Sequence, residues 1–131
     1  MKEVEIQTRE RTQFVDITGA VREAVEEAGA LDGVVTVFVP HTTAGITINE
    51  NADPDVVRDM KSVLDRLVPW RGDYLHGEGN TAAHVKSSLM GSSVNVIVSS
   101  GRPQLGVWQS IWFCEFDGPR SRKVLIQFHK G

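Results

Sequence analysis

Apolar residues recur at strand spacing in seven short stretches of the chain, which polar or glycine-rich segments separate. Such strands are marked by alternation of apolar and polar residues, or by runs of β-branched residues between turn residues. The clearest is Val34–Val39, which Pro40 ends. The predicted strands span residues 2–8, 14–17, 34–39, 46–48, 94–98, 105–116 and 123–129.

Helical spacing of apolar residues predicts two helices in the first half of the chain. The first covers residues 19–28, with Thr18 as its N-cap and Gly29 just after its end. The second begins at Asp53-Pro54, a capping residue followed by a proline in the first turn. Its expected apolar face consists of Val56, Val57, Met60, Val63, Leu64 and Leu67.

A third, shorter helix is predicted to start with Thr81 as its cap and to direct Ala82, Val85 and Leu89 inward. The last forty residues contain only strands and turns, which predicts antiparallel hairpins. Helices grouped in the middle of the chain, rather than alternating with strands, indicate the α+β class. The length favours one domain over residues 1–131.

The composition of the chain argues against several classes of protein. A formal net charge of −3 argues against a broad nucleic-acid surface, which needs a basic stripe. The single cysteine, Cys114, excludes an internal disulfide, and its place in an apolar strand predicts a buried thiol that packs as a small hydrophobe. No signal-like amino terminus and no apolar span of about 18 residues is evident, so a cytoplasmic protein without membrane association is expected.

Three of the four histidines stand in two polar blocks where regular elements begin or end. His41 follows the strand that Pro40 ends, whereas His76 and His84 flank a glycine-rich loop and the start of the third helix. Three imidazoles are the typical ligand set of a catalytic zinc ion. Their spacing matches no specific metal motif, so isolated or hydrogen-bonded histidines in a polar pocket are the alternative.

Two carboxylates near these blocks are candidates for chemistry. Glu50 could serve as a general base or hold an imidazole in place. Glu115 interrupts an apolar strand, so it must be paired, hydrogen-bonded or exposed. If it points inward, Arg120 or Arg122 is the expected partner.

Arginines in turns and a helix start offer weak signals of phosphate binding. Guanidinium groups can bind phosphate with two parallel hydrogen bonds, and the loop before Thr81 leads into a helix whose first amides suit an anion. Trp108 and Trp112 are expected on one face of the long strand, and a second subunit could cover its other face. The turn arginines are Arg71, Arg102, Arg120 and Arg122.

Five motifs in order along the chain resemble those of the YjbQ family, known as the secondary thiamine-phosphate synthase family. They are His41-Thr42-Thr43-Ala44-Gly45, Asn49 to Pro54, Tyr74 to His84, Ser87 to Ser93, and Leu105 to Ile111 followed by Glu115 to Arg120. The resemblance implies a single-domain YjbQ-like fold with a mixed, largely antiparallel sheet and helices packed on it. It also implies a homotrimer with a histidine-lined cleft near the subunit interfaces.

The activity that this resemblance implies is a thiamine-phosphate-synthase-like transferase, as a main or a side reaction. It joins a pyrimidine pyrophosphate to a thiazole phosphate and releases pyrophosphate. A metal-dependent hydrolase of a small phosphorylated metabolite and a non-catalytic binding trimer are the alternatives. The expected roles are catalytic for Glu50, Asn80 and His84, substrate-binding for Trp108, Gln109, Glu115 and Arg120, and binding of a divalent ion, zinc or magnesium, for His41, His76 and His84.

Overall fold

The computed structural model describes residues 1–131, which form eight strands and three helices. The elements are β1 (Lys2–Gln7), β2 (Gln13–Asp16), α1 (Thr18–Glu27), β3 (Gly33–Phe38), β4 (Ala44–Glu50), α2 (Pro54–Leu67), α3 (Thr81–Met90), β5 (Ser93–Ser99), β6 (Arg102–Pro103), β7 (Gln109–Glu115) and β8 (Ser121–Lys130). The predicted α+β class and the order of the predicted elements are confirmed, with one further short strand, β6, where a turn was expected. None of the three helices has the length and apolar character that a transmembrane span requires.

The strands form two sheets rather than one. A five-stranded sheet has the order β1-β8-β3-β5-β6, and a three-stranded sheet has the order β2-β7-β4. Every neighbouring pair is antiparallel. The expected single mixed sheet was therefore wrong, because the turn after β7 carries the chain into the other sheet instead of closing a hairpin.

Three of the six connections between the two sheets lie close together: residues 8–12 join β1 to β2, residues 39–43 join β3 to β4, and residues 116–120 join β7 to β8. Backbone hydrogen bonds tie these connections together. Thr8 donates to Arg120, and Phe116 donates to Thr43. The three crossings therefore meet at one end of the fold.

The main core lies between the two sheets and α1. Both sheets contribute fully buried side chains, such as Val35 and Val124 from one and Ile46 and Phe113 from the other. Val21 and Val25 of α1 are also fully inaccessible to solvent. Burial of this apolar surface is the main favourable term that holds the two sheets together.

The long strand predicted over residues 105–116 begins only at Gln109. A local turn precedes it, in which the Gln109 amide donates to the Gly106 carbonyl and the Gln109 side chain accepts from the Gly106 amide. Trp108 therefore lies outside β7 and is 61% exposed, whereas Trp112 within β7 is half-buried. The expectation that both tryptophans share one strand face was wrong.

Two of the three predicted helix caps differ in the structure. Asp53 caps α2 as predicted, because its side chain accepts a hydrogen bond from the Asp55 amide. Thr18 and Thr81 are instead the first residues of their helices. The Thr18 hydroxyl accepts from the Ile111 amide of β7, so it anchors α1 to the smaller sheet rather than capping the helix.

The buried faces of α2 and α3 also differ from expectation. Only Leu64 of the predicted α2 face is buried, and Leu67 is 70% exposed. In α3, Ala82 is buried as expected, but Val85 and Leu89 are exposed. The α3 residues that face the protein are Ala82, Ala83, Lys86 and Ser87.

Small residues let α3 approach the smaller sheet closely. A Cβ atom added to Gly45 of β4 would lie 2.8 Å from the Gly91 carbonyl oxygen and 3.0 Å from the Met90 Cβ. Both distances are shorter than ordinary van der Waals contact. Glycine at position 45 thus sets the distance between β4 and the end of α3, and so the position of the helix that carries His84.

We therefore expect Gly45→Ala to lower the free energy of unfolding by about 1–3 kcal/mol, because the backbone of α3 must move to admit the methyl group. Gly19→Ala is the matched control. Its Cβ would meet no atom within 4 Å, so it should leave stability unchanged or raise it by up to about 1 kcal/mol. Urea denaturation of both variants measures the difference. Equal stability of the two variants would contradict this account of the packing.

Candidate functional site

A polar cleft of about 640 Å³ opens where two of the sheet crossings approach the start of α3. The β3–β4 crossing contributes His41, the segment after β7 contributes Arg120, and the loop before α3 contributes His76. Asn80 and His84 complete this group. Only two of the thirteen residues that line the cleft are hydrophobic, so its character is polar.

The His41 ring is held by the backbone of β8. Its Nε2 atom accepts a hydrogen bond from the Lys123 amide at 3.1 Å, beyond the last pair that β3 makes with β8, Phe38 with Leu125. A nitrogen that accepts a bond has no proton, so the neutral ring carries its proton on Nδ1. Burial and the nearby Arg122 guanidinium lower the pKa of His41 below its ordinary value. A neutral imidazole in a fixed orientation results.

His76 and His84 form an edge-to-face pair. Their ring centroids are 5.4 Å apart and the rings are nearly perpendicular, at 88°. His84 is half-buried on the first turn of α3, whereas His76 projects from the preceding loop and is more exposed. Glu78 lies 3.9 Å from His76 Nε2, which is too far for a hydrogen bond.

Asn80 presents an unsatisfied acceptor next to this pair. The residue is only 6% exposed, and its Nδ2 atom donates to Asp117 at 2.8 Å. Asp117 also accepts from the Arg120 guanidinium at 2.9 Å. The Asn80 Oδ1 atom has no hydrogen-bond partner. Since buried polar atoms are nearly always paired, this oxygen is available to a small ligand or a bound ion.

A buried ion pair lies behind the cleft wall. Glu115 is fully inaccessible and Arg122 is 6% exposed. The guanidinium binds both carboxylate oxygens, at 2.8 Å from Nε and 2.5 Å from Nη2. Nη2 also donates to the Thr43 hydroxyl at 2.8 Å, and the Thr8 hydroxyl donates to Glu115 at 2.8 Å. The expectation that an inward-pointing Glu115 pairs with Arg120 or Arg122 is confirmed for Arg122.

The charge of Glu115 is well compensated. Burial alone raises the pKa of its carboxyl, but hydrogen bonds from Arg122, the Asp117 amide and Thr8 outweigh that effect. The net pKa of Glu115 therefore lies below its ordinary value. The carboxylate has no exposed surface, and its bonds to Arg122, Thr8 and the Asp117 amide hold the crossings together.

Comparison with known proteins supports the resemblance along the whole chain. The family model described as UPF0047 protein YjbQ-like matches residues 2–131. The chain belongs to the YjbQ (UPF0047) family.

Relatives from bacteria and archaea share both sequence and fold. UPF0047 protein YugU of Bacillus subtilis is 52% identical over 128 residues, which cover 97% of each chain. UPF0047 protein MJ1081 of Methanocaldococcus jannaschii is 49% identical, over 94% of this chain and 89% of its own length. A crystal structure of a YjbQ/UPF0047 protein from Clostridium acetobutylicum superposes with a TM-score of 0.97 at 55% identity, covering 98% of this chain and all of its own.

The fit of a metal ion to this YjbQ-family cleft is partial. Two imidazoles bound to one tetrahedral zinc ion have ring centres about 5 Å apart, given zinc–nitrogen bonds of about 2 Å. The observed His76–His84 spacing of 5.4 Å matches that arrangement. The Nε2 atom of His41 is used by the Lys123 amide, and no set of three His, Cys, Asp or Glu side chains is arranged around a common point. Metal binding by all three histidines stays a prediction.

Three of the expected site residues lie elsewhere in the subunit. Glu50 is at the far end of β4 from the His41 block, where it pairs with Gln109 of β7. Its backbone carbonyl accepts from the Trp112 indole at 3.1 Å. Trp108 and Gln109 are exposed beside it. The structure therefore does not bring Glu50, Trp108 or Gln109 into the histidine cleft of the same chain.

Several hydroxyl groups at the cleft were not among the expected site residues. They are Thr42, Thr43 and Ser92. Thr42 and Thr43 follow His41 directly, and that adjacency was the available signal. Ser92 reaches the cleft because its carbonyl accepts from the Val39 amide, a pairing that no local pattern reveals. Cys114 is buried as predicted, and burial raises the pKa of its thiol.

We expect Glu115→Gln to reduce the free energy of unfolding at neutral pH by about 3 kcal/mol, because it leaves the buried Arg122 charge uncompensated. A carboxyl whose pKa is lowered in the folded state stabilises the fold above its unfolded pKa of about 4.3. That stabilisation is lost as the pH falls through the folded pKa. The free energy of unfolding of the variant should therefore decrease less than that of the parent protein as the pH falls.

Chemical denaturation from pH 3 to pH 7 measures both effects, with the exposed Glu10→Gln as control. The Glu10→Gln control should have the same free energy of unfolding as the parent protein at each pH. A Glu115→Gln protein with parental stability and parental acid sensitivity would show that the pair is not a structural constraint.

Proposed function

We propose that this protein is an enzyme that binds a phosphorylated small molecule in the histidine cleft and catalyses a group transfer of the thiamine-phosphate-synthase type. The convergence of His41, His76 and His84 with Asn80 and Arg120 on one polar cleft is the observation that carries the proposal. A cytoplasmic location stays part of this proposal.

The cleft lining suits an anionic group. Arg120 and Arg122 line the cleft, and because Glu115 neutralises the buried Arg122, Arg120 is the guanidinium that can meet an anion. The Arg120 side chain is half-exposed, which leaves guanidinium hydrogens free beside its bonds to Asp117. Arginine in such a position binds phosphate oxygens with directed hydrogen bonds.

In the proposed reaction, the ring nitrogen of the thiazole phosphate attacks the methylene carbon of the pyrimidine pyrophosphate. A carbon–nitrogen bond forms, the carbon–oxygen bond breaks, and pyrophosphate leaves with the electron pair. Arg120 and the imidazole hydrogens of His84 would stabilise the charge that develops on the leaving group. His41 is held neutral, so its Nδ1 hydrogen can donate to a phosphate oxygen without a full positive charge.

A divalent ion could add to this stabilisation. His76 and His84 would hold it, and Asn80, whose Oδ1 atom has no partner, lines the same cleft. When bound, such an ion would neutralise negative charge on the pyrophosphate oxygens.

We also propose that the protein is a homotrimer, as the family resemblance implies. Trp108 and Val107 are 61% and 79% exposed and adjoin Glu50 and Gln109. Exposed large apolar residues in a cluster are typical of a contact surface. In a trimer, Glu50, Trp108 and Gln109 would line the cleft of a neighbouring subunit and act there in their predicted roles.

Incubation of the purified protein with the pyrimidine pyrophosphate and the thiazole phosphate tests the activity, with mass spectrometry to detect thiamine phosphate. We expect product formation, and we expect His84→Ala to lower kcat/KM about 100-fold or more through loss of a positioned proton donor. The assay is run with a chelator and with added zinc or magnesium.

His129→Ala is the matched control, because His129 lies on β8 outside the cleft and contacts Thr36. It should retain parental activity. No thiamine phosphate under any metal condition would refute the transferase. Hydrolysis of a phosphorylated reactant that His84→Ala abolishes would favour the metal-dependent hydrolase, and thermal stabilisation without turnover would favour a binding protein.

A further inference from the structure

A second cleft adjoins the first across its histidine wall. It has a volume of about 500 Å³, and it shares His41, Thr42, His84 and Ser92 with the larger cleft. The larger cleft, which includes Arg120 and Arg122, is called the arginine lobe. The smaller cleft, which includes Ser87 and Ser88, is called the serine lobe.

The two lobes differ in charge. The arginine lobe is lined by two guanidinium groups and one carboxylate, and because Glu115 neutralises the buried Arg122, Arg120 is its exposed guanidinium. The serine lobe has no lysine, arginine, aspartate or glutamate in its lining. A phosphate placed in the serine lobe would lose water without gaining an opposite charge, which is unfavourable. The serine lobe therefore suits an uncharged group.

Hydroxyl groups make the serine lobe polar as well as neutral. Ser87 and Ser88 donate to the Ala83 and His84 carbonyls of α3, which leaves their oxygens able to accept. Thr42 and Ser92 are exposed at the border of the two lobes, and neither hydroxyl has a hydrogen-bond partner within the chain. An apolar ligand group would leave these positions unsatisfied, whereas a hydroxyl or amine would pair with them.

Building on the proposed function, we infer that the ligand is a phosphate ester whose esterified part is a neutral group bearing hydroxyl or aromatic amine functions. The phosphate lies in the arginine lobe and the neutral part lies in the serine lobe. The ester bond then lies beside His41 and His84, which line both lobes. In the proposed transfer, the serine lobe would hold the amine-bearing pyrimidine, and its pyrophosphate would lie with Arg120.

Calorimetric titration of the full chain with three probes tests this inference: inorganic phosphate, glycerol 3-phosphate and propyl phosphate. The last two have similar size and the same phosphate, but only glycerol 3-phosphate has hydroxyls. We expect glycerol 3-phosphate to bind about tenfold more tightly than propyl phosphate. In the Ser88→Ala/Ser92→Ala variant this ratio should fall to about one, because the paired hydroxyls are removed.

Ser93→Ala is the control, since Ser93 is an exposed neighbour that lines neither lobe. It should keep the parental ratio. If phosphate binds but the two esters bind equally to the parent protein, the serine lobe does not distinguish their esterified groups. The inference is then wrong, while the proposed phosphate site stands. If none of the three probes binds, the proposed phosphate site fails and the inference with it. Ser88, Ser92 and Ser93 are all exposed, so a circular dichroism spectrum suffices to verify folding.

Discussion

The buried pair of Glu115 and Arg122 is the interaction on which the arrangement of this fold depends. Glu115 ends a strand of the smaller sheet and Arg122 belongs to a strand of the larger one, so the pair links the two sheets. Thr8 and Thr43 bind the same two side chains from the other two crossings. A buried charge without its partner is costly, so the three crossings are held in one relative position.

The same constraint positions the candidate site. Thr43, which binds Arg122, is two residues from His41, and the residue after Arg122 supplies the amide that binds the His41 ring. On the opposite side of the cleft, the close contact of Gly45 with the end of α3 sets where His84 lies. Rigid backbone on both sides thus supports imidazoles that come from distant parts of the chain, which is how scaffolds commonly display reactive side chains.

Features that depend on neighbouring residues in the sequence were predicted correctly, whereas features that depend on tertiary contacts were missed. Asp53 and Pro54 act through their own helix, so the start of α2 was predictable. The split into two sheets was not predictable, because the sequence of the turn after β7 is like that of a hairpin turn. The contact between Glu115 and Arg122, which links the two sheets there, is tertiary and has no local signal. Trp108 was misplaced because the Gln109 side chain closes a turn with Gly106 that ends the strand pattern early.

The sequence indicated the kinds of residue at the candidate site, but it predicted only some of the residues that line it. The polar blocks with His41, His76 and His84 were recognisable, and these residues do line one cleft. Glu50 follows the His41 block in sequence, yet an extended strand separates the two by the whole length of β4. Ser92 joins the site through a backbone hydrogen bond from Val39, just beyond the paired residues of β3 and β5, and predicting it requires knowledge of the sheet order.

A double-mutant cycle on Glu115→Leu and Arg122→Met tests the central structural claim most directly. Unfolding free energies of the parent, the two single variants and the double variant give the coupling between the two side chains. If the pair is the constraint described here, the double variant loses less stability than the two single variants together, by about 1–3 kcal/mol. Losses that add to within about 0.5 kcal/mol would contradict the account.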